Sequence, residues 1–237
     1  MAVQAQNASQ KIGILGGTFD PPHLGHIKLA THFSKLLHLD QLLLIPSGEP
    51  WQKGVDITPA NIRLQLTQAA GLDLAQAFIH SKINTAITVD RIEIERSGPS
   101  YAIDTAKALR AHWGMDASLI WLMGADAFNQ LPTWNSWKHL LNYVNLAVAS
   151  RPNHPMGTEI QPELTEFLNQ HLCIDPETLE NSRFGRIYID DSLAVDLSST
   201  HLRNQLNRAD RSLITPEHIP ARTLERITTL GLYKQSS

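Results

Sequence analysis

The sequence predicts an α/β protein: a doubly wound, Rossmann-like parallel sheet in a single domain. Three observations carry this prediction. Short apolar runs of strand length alternate along the chain with longer helix-like stretches. Most of these runs are continuously apolar, as in strands buried on both faces of a parallel sheet. The chain has 237 residues, of which 42% are hydrophobic, so it is long enough to bury one full core.

The first two strands and the helix between them are defined by their apolar spacing. Residues 11–15 form an apolar run that reads as a buried strand. Residues 27–39 place apolar side chains three or four positions apart, which predicts a helix with one buried face. Residues 41–46 are again apolar and end at a proline, and the Gly- and Pro-rich stretch 47–59 is predicted to be a loop.

The rest of the chain continues the alternation. Further strands are predicted over 87–94, 118–123, 145–150 and 186–189, and further helices over 60–75, 100–113, 200–207 and 216–230. In sheets of this kind, ligands bind at the carboxyl ends of the strands, near the point where the strand order reverses. The loop after the first strand is therefore the expected position of a site.

Composition excludes several classes of protein. A formal net charge of −3 argues against a binder of nucleic-acid backbones, and the single cysteine, Cys173, excludes an intramolecular disulfide. No apolar run approaches the roughly 18 residues of a membrane span. Residues 1–10 are polar, have no secretory pattern and are predicted to be a disordered tail before a domain over 11–235. We therefore expect a cytoplasmic protein, and association with further copies of the chain is left open.

One stretch carries most of the functional signal. Residues 16–26 read Gly-Gly-Thr-Phe-Asp-Pro-Pro-His-Leu-Gly-His and lie directly between the first strand and the first helix. Gly16 and Gly17 are predicted to allow a tight turn that exposes backbone N–H groups, and His23 and His26 are spaced to face the same side of a helix. A helix N-terminus attracts anions, so two imidazoles beside one predict a phosphate-handling site. Glycine spacing fits neither the dinucleotide fingerprint nor the P-loop.

Residues 16–26 resemble the T/H-x-G-H signature of the nucleotidylyltransferase superfamily, in the form found in bacterial nicotinate mononucleotide adenylyltransferases. The resemblance implies a catalytic role for the two histidines, His23 and His26. It further implies contacts of the preceding loop with substrates. The residues implied to bind ATP here are Gly16, Gly17, Thr18 and Phe19, and Asp20 is implied to bind nicotinate mononucleotide.

The loop over 46–53 resembles the family segment that ends in P-P-H-[KR]. Lys53 matches the basic position, which the family uses on substrate phosphate, so it is implied to act in catalysis and in binding the mononucleotide. Gln52 replaces the usual histidine and Trp51 replaces the second proline. A solvated lysine at the surface is an equally good interpretation of Lys53.

The turn over 96–105 resembles the family segment R-x-x-P-S-Y-T-x-x-T, which receives the nicotinate carboxylate on backbone N–H groups. Tyr101 and Ala102 are thereby implied to bind the mononucleotide, although Ala102 replaces the usual threonine. A backbone N–H survives that replacement. Considered alone, the same turn predicts a helix start capped by Ser100.

Two further segments place single residues at the nucleotide and at the pyridine ring. Asp126 follows the strand predicted over 118–123 and matches the family aspartate that contacts the nucleotide ribose. Capping of the next helix is its other interpretation. Trp134 matches the family P-T-W tryptophan that stacks on the pyridine ring, while Trp137 is predicted to be core. Arg151 follows the strand predicted over 145–150, and an ordinary loop residue is as good an interpretation of it as a functional one.

The second strong signature is residues 196–203, which resemble the family triphosphate motif I-S-[SA]-T-x-[IL]-R. The resemblance implies that ATP is bound by Ser198, Ser199, Thr200 and Arg203, and that Arg203 is also catalytic. A planar guanidinium suits bidentate contact with phosphate. Without the resemblance, the stretch would predict a capped amphipathic helix.

These likenesses together imply an enzyme of NAD biosynthesis that transfers AMP from ATP to nicotinate mononucleotide, with Mg²⁺ carried on ATP and no metal site built by the protein. Two other classes stay open: a transferase acting on another phosphate, such as a pantetheine phosphate, and a non-catalytic nucleotide sensor. Class I aminoacyl-tRNA synthetases share a related histidine motif, but this chain has no basic RNA-binding extension.

Overall fold

A single sheet of parallel strands organises the computed structural model, which describes residues 9–52, 57–150, 161–193 and 218–233. Its strands are β1 (Lys11–Gly17), β2 (Gln41–Pro46), β3 (Ala86–Val89), β4 (Ser118–Gly124), β5 (Asn145–Ala149) and β6 (Ile187–Asp190). Their order across the sheet is β3-β2-β1-β4-β5-β6, and all neighbours are parallel. The order reverses between β1 and β4, which confirms the predicted doubly wound topology.

Helices cover both faces of this sheet. Within the described ranges they are α1 (Leu24–Leu36), α2 (Ala60–Ser81), α3 (Ile92–Glu95), α4 (Ala102–Trp113), α5 (Ala125–Asn129), α6 (Pro162–His171), α7 (Pro176–Asn181) and α8 (Ala221–Thr229). Two 3₁₀ turns, Leu131–Thr133 and Trp137–Asn142, follow α5.

The core consists of two apolar layers, one on each face of the sheet. Alternation along β1 and β2 divides the strand residues between the layers: Ile14 and Leu43 belong to one, and Leu15 and Leu42 to the other. The first layer packs under α4, and the second packs under α1, whose Phe33 has no exposed surface. Burial on both faces explains why the strands are continuously apolar.

Several element boundaries differ from the prediction. Helix α1 begins at Leu24, three residues earlier than predicted, because His23 already occupies its N-cap. The strand predicted over 87–94 ends at Val89, and α3 follows it, with the Glu93 side chain buried. Helices α6 and α7 were not predicted. The helix predicted over 200–207 lies outside the described residues, and of the helix predicted over 216–230 the structure has Ala221–Thr229.

The predicted tail, residues 1–10, lies outside the described residues except for its last two positions. There the Gln10 carbonyl accepts a hydrogen bond of 2.8 Å from the backbone N–H of Ser118, which extends the pairing of β1 with β4. Among the described helices, none has the length and apolar content needed to cross a membrane.

Candidate active site

A cleft of about 340 Å³ opens at the carboxyl ends of β1 and β4, where the strand order reverses. Six of the predicted site residues line it: Gly16, Gly17, Thr18, His26, Ala102 and Trp134. Phe19, Asp20, His23, Tyr101 and Asp126 lie around it without lining it. Lys53, Ser198, Ser199, Thr200 and Arg203 lie outside the described residues, as does Arg151.

The glycine pair forms the end of β1 and has a different structural reason from the predicted one. Gly16 and Gly17 are strand residues paired with β2, and neither has a positive φ. A Cβ on Gly16 would lie 3.0 Å from the Trp121 ring on β4, so glycine lets the strand pack against this indole without a shift of the ring. The left-handed turn falls instead on Phe19, with φ of 50°. The prediction of a tight turn made by the glycines is therefore wrong.

His23 and His26 lie against each other at the start of α1, as their spacing predicted. Their ring centroids are 3.7 Å apart, with an angle of 32° between the ring planes. The backbone N–H of His23, at the N-cap, donates to Nδ1 of His26 at 3.1 Å. Because Nδ1 accepts, a neutral His26 ring carries its proton on Nε2. His26 therefore offers the cleft a hydrogen-bond donor.

Burial keeps both imidazoles neutral in the ligand-free protein. Desolvation lowers the pKa of His23 to about 4, and its Nδ1 is a buried nitrogen without a hydrogen-bond partner. Desolvation and the proximity of His23 lower the pKa of His26 well below its usual value. At neutral pH both rings are therefore uncharged, so either could meet an anion only through an N–H donor.

This depressed pKa predicts a loss of stability in mild acid. In the unfolded chain His23 takes up a proton near pH 6.5, whereas in the folded protein it stays neutral down to about pH 4. The unfolded state thus binds more protons, so the unfolding free energy should fall as pH is lowered from about 6.5 towards 4, by on the order of 3 kcal/mol. Denaturant titrations at several pH values measure this slope.

His23→Gln should flatten the pH dependence, while the same change at exposed His112 should leave it as in the wild type. Equal slopes in the wild type and in His23→Gln would contradict the assignment.

The loop that carries this pair is held by Asp20, which was predicted in another role, and by groups that sequence reasoning did not identify. Asp20 has no exposed surface; its carboxylate accepts from the N–H of Thr58 at 3.2 Å and from the hydroxyl of Tyr233. Arg63 on α2 is 1% exposed and donates at 2.8 Å to the carbonyls of Thr18, Gly48 and Thr58. Burial lowers the Arg63 pKa, and attraction to Asp20 opposes that shift. The loops after β1 and β2 are thereby joined.

The opposite wall of the cleft is built by the turn before α4. The buried Glu93 accepts a hydrogen bond of 2.7 Å from the Thr105 hydroxyl, and Arg96 donates to the same hydroxyl at 3.2 Å. Desolvation raises the pKa of Glu93. Glu93 and Ser100 both line the cleft, although neither was a predicted site residue. Burial of a carboxylate cannot be read from its local sequence.

Ser100 does not cap α4, which corrects the prediction. Its hydroxyl accepts from the N–H groups of Gly48 and Glu49, at 2.9 and 3.2 Å, and so ties the turn to the loop after β2. Tyr101 occupies the N-cap instead. The N–H groups of Ser100 and Tyr101 are bonded to Glu49 and Pro99 carbonyls. Ala102 is the first helical residue, so its N–H has no intrahelical acceptor, and the residue lines the cleft.

Tryptophans form the apolar part of the lining. Trp134 follows the 3₁₀ turn after α5 and meets Trp121 edge to face, with ring centroids 6.4 Å apart. Trp137 is buried in the core, as predicted. Asp126 is exposed in the first turn of α5, while Gly124 holds the N-cap, so the capping interpretation of Asp126 is wrong.

The two positions that depart from the family loop pattern lie at the cleft mouth. The Gln52 side-chain amide donates to the Thr133 hydroxyl at 2.6 Å and so joins the loop after β2 to the turn that carries Trp134. The Trp51 ring meets Tyr101 edge to face, with ring centroids 5.6 Å apart. Both residues line the cleft, so the two replacements of family residues make contacts of their own.

The fold and the cleft define a nucleotide-binding α/β protein with its site at the topological switch point, and residues 14–205 match the family model described as cytidylyltransferase-like. Relatives narrow this class. The probable nicotinate-nucleotide adenylyltransferase of Herminiimonas arsenicoxydans is 35% identical over 237 residues, covering 97% of this chain and 99% of the relative. That of Pectobacterium atrosepticum is 35% identical over 92% of this chain and 96% of its own.

The chain belongs to the nicotinate-nucleotide adenylyltransferases within the cytidylyltransferase-like family. The resemblance inferred from residues 16–26 is thus confirmed. A solved structure shares the fold. Nicotinic acid mononucleotide adenylyltransferase of Plasmodium falciparum, in complex with NaAD, superposes with a TM-score of 0.66 at 17% identity, covering 94% of this chain and 97% of that one.

Proposed function

We propose that this protein transfers AMP from ATP to nicotinate mononucleotide, releasing pyrophosphate and forming nicotinate adenine dinucleotide for NAD biosynthesis. One observation carries the proposal. One cleft is lined by His26, which pairs with His23, and by the end of β1, and the same cleft is lined by Ala102 and Trp134. Phosphate chemistry and recognition of a carboxylated aromatic ring therefore meet in one place. The curated relatives carry the name of this activity.

The reaction poses a problem of charge rather than of proton transfer. A phosphate oxygen of the mononucleotide attacks the α-phosphorus of ATP, a new P–O bond forms, and the bond to the bridging oxygen of pyrophosphate breaks. The second pKa of a phosphate monoester is about 6, so the nucleophile is already ionised at neutral pH. No general base is needed. The protein must bring two anions together and stabilise the charge that moves onto pyrophosphate.

The imidazoles are suited to this task as neutral donors. His26 would donate from Nε2 to phosphate oxygens in the cleft, since its Nδ1 already accepts from His23. We assign Lys53 and Arg203 as the cations of the reaction, with Ser198, Ser199 and Thr200 as further donors to the triphosphate. These five assignments rest on the family motifs, because the residues lie outside the described ranges. Asp126 is assigned to the ribose hydroxyls.

We assign Mg²⁺ to the nucleotide rather than to a cage of protein ligands. Among the described residues, no three His, Cys, Asp or Glu side chains converge as a metal site would require. Mg²⁺ in phosphoryl-transfer enzymes is commonly held by substrate phosphates with few protein ligands, and it neutralises charge on the phosphate oxygens. A cytoplasmic location stays a prediction.

The identity of the products tests the proposal. The protein is incubated with ATP, Mg²⁺ and one mononucleotide at a time (nicotinate mononucleotide, nicotinamide mononucleotide or a pantetheine phosphate), and products are identified by mass. We expect nicotinate adenine dinucleotide and pyrophosphate from the first. Transfer to the pantetheine phosphate alone would assign a different transferase, and no transfer to any acceptor would favour a nucleotide-binding protein without activity.

The cleft predicts a preference for the acid over the amide. An N–H at a helix start favours an anion, whereas the amide would turn its NH₂ group towards a donor. Each unpaired buried polar group costs about 1–3 kcal/mol, so kcat/KM should favour nicotinate mononucleotide by roughly tenfold to a hundredfold. Steady-state kinetics with both mononucleotides measure the ratio.

Two variants separate recognition of the ring from recognition of the carboxylate. Trp134→Ala should weaken both mononucleotides alike, because the indole contacts either ring. Pro99→Gly should mainly reduce the preference, because it loosens the turn that places Ala102. Equal use of the acid and the amide by the wild type would reject the nicotinate assignment and leave adenylyl transfer intact.

A further inference from the structure

The last described residues of the chain lie against the loop that carries the paired histidines. The Tyr233 hydroxyl donates to Oδ1 of Asp20, and it accepts a hydrogen bond of 3.3 Å from the Thr58 hydroxyl. A second tie lies nearby, where the backbone N–H of Leu24 donates to the His218 carbonyl at 2.9 Å. The chain end is therefore joined to the site loop, and Asp20 and Tyr233 are 213 positions apart in sequence.

This C-terminal segment is itself firmly placed. Ile219 and Ile227 are fully buried with Leu66 of α2. The Arg222 backbone N–H and guanidinium both bond to Asp73 on the same helix, at 3.0 and 2.9 Å. Tyr233 then adopts a φ of 54°, in the left-handed region that is unfavourable for a bulky residue. Such a conformation persists only where surrounding contacts hold it, and it turns the ring towards Asp20.

The accepting carboxylate has no access to solvent. Asp20 is 0% exposed, so its charge must be met by donors inside the protein. Donors to its two oxygens include the Tyr233 hydroxyl and the Thr58 N–H, and the Arg63 guanidinium lies close enough for mutual attraction. Since Asp20 does not line the cleft, we assign it to fixing its loop rather than to contact with the mononucleotide.

Asp20 is connected to the imidazoles through its chain neighbour, Phe19. The adjacent Phe19 is 3% exposed, adopts a φ of 50° and meets the His26 ring edge to face, with centroids 4.9 Å apart. His26 in turn lies 3.7 Å from the ring of His23. Phe19 thus lies between Asp20 and the ring whose donor His26 presents to the cleft.

We propose that Tyr233 is a positioning residue: its hydroxyl fixes Asp20, and thereby sets the orientation of His26 for adenylyl transfer. The kinetic part of this inference rests on the proposed function, whereas the orientation of His26 is measurable without any reaction. Tyr233 would contact neither substrate, so its removal should slow the chemical step more than it weakens binding.

Tyr233→Phe removes only the hydroxyl and tests the proposal. Its matched control is Tyr188→Phe, which removes a hydroxyl lying 3.5 Å from Asp190 at the β6 edge of the sheet. In Tyr233→Phe we expect kcat to fall by about tenfold or more, as small misplacements of catalytic groups do, with KM for both substrates nearly unchanged. The imidazole ¹⁵N resonances of His26, assigned by comparison with His26→Gln, should shift in Tyr233→Phe and stay in place in Tyr188→Phe.

The resonances decide the inference, and the rates decide its link to catalysis. Unchanged His26 resonances in Tyr233→Phe would overturn it, whatever the activity. Shifted resonances with an unchanged kcat would overturn the catalytic part. Asp20→Asn supplies a second variant. If Tyr233→Phe and Asp20→Asn act through the same hydrogen bond, the double variant should be no slower than the slower single variant. If the two losses of kcat multiply in the double variant, the result would count against the proposal. A wild type without adenylyl transfer would reject the proposed function, while the resonances would still test the positioning.

Discussion

His26→Ala should lower turnover by on the order of a hundredfold or more, which is the usual loss when one donor to a developing charge is removed. The ring is fixed from two sides, by the His23 N–H at Nδ1 and by Phe19 at its edge, so its remaining nitrogen is preorganised towards the cleft. Folding should change little, because His26 is only partly buried and its ring meets the core at the edge of Phe19. Initial rates at saturating ATP and nicotinate mononucleotide measure the effect.

His26→Gln and His112→Ala complete this test. A glutamine amide keeps an N–H donor near the Nε2 position and should recover part of the rate. His112 is exposed on α4, so its loss should leave turnover unchanged. If His26→Ala retained the wild-type kcat, phosphate oxygens would have to be bound by other groups, and the role given to the paired histidines would be wrong.

Arg63→Ala should reduce the unfolding free energy by about 3–5 kcal/mol, because it leaves buried hydrogen-bonding groups without partners. The guanidinium donates to three carbonyls: that of Thr18 lies in the loop after β1, and those of Gly48 and Thr58 lie in the connection from β2 to α2. Removing it also leaves the charge of buried Asp20 without its nearby cation. Denaturant unfolding at pH 7 measures the loss.

Arg110 provides the matched control for activity. It is another buried arginine bonded to backbone carbonyls, among them those of Tyr143 and Ala117, but it braces the sheet away from the cleft. Arg110→Ala should destabilise the protein comparably and leave turnover of the folded enzyme intact at low temperature. Arg63→Ala should lose both stability and turnover. Arg63→Lys should recover little, since one ammonium cannot reach three carbonyls at once. A loss below about 1 kcal/mol in Arg63→Ala would contradict this role.

The sheet was predictable from sequence because its strands are buried on both faces. Continuous apolar runs such as Leu42–Ile45 have few alternatives, and the predicted span 41–46 matches β2 to the residue. Helices α6 and α7 were missed because few of their residues are apolar. Their signals were local: each has a proline in its first turn, and Asp175 caps α7 by accepting from the Thr178 N–H at 2.7 Å.

The site was predictable only where its chemistry lies within one short stretch. The spacing of His23 and His26 was sufficient to bring their rings together. The close approach of Gly16 to Trp121, and the Ser100 hydroxyl bound by the loop after β2, depend on contacts between distant strands and loops. Local patterns favoured a glycine turn and a serine cap instead, because those are the common uses of such residues. Tyr233 had no sequence signal at all.

The tryptophans of the cleft give the protein its own optical reporter of ligand binding. Of the five indoles in the chain, Trp51, Trp121 and Trp134 line the cleft. A purine or pyridine ring entering the cleft displaces water from these indoles and changes the polarity around them. Three of the five indoles therefore lie in the cleft proposed to bind substrates, so affinities can be titrated by the emission of the unlabelled protein without turnover, even in variants that no longer catalyse.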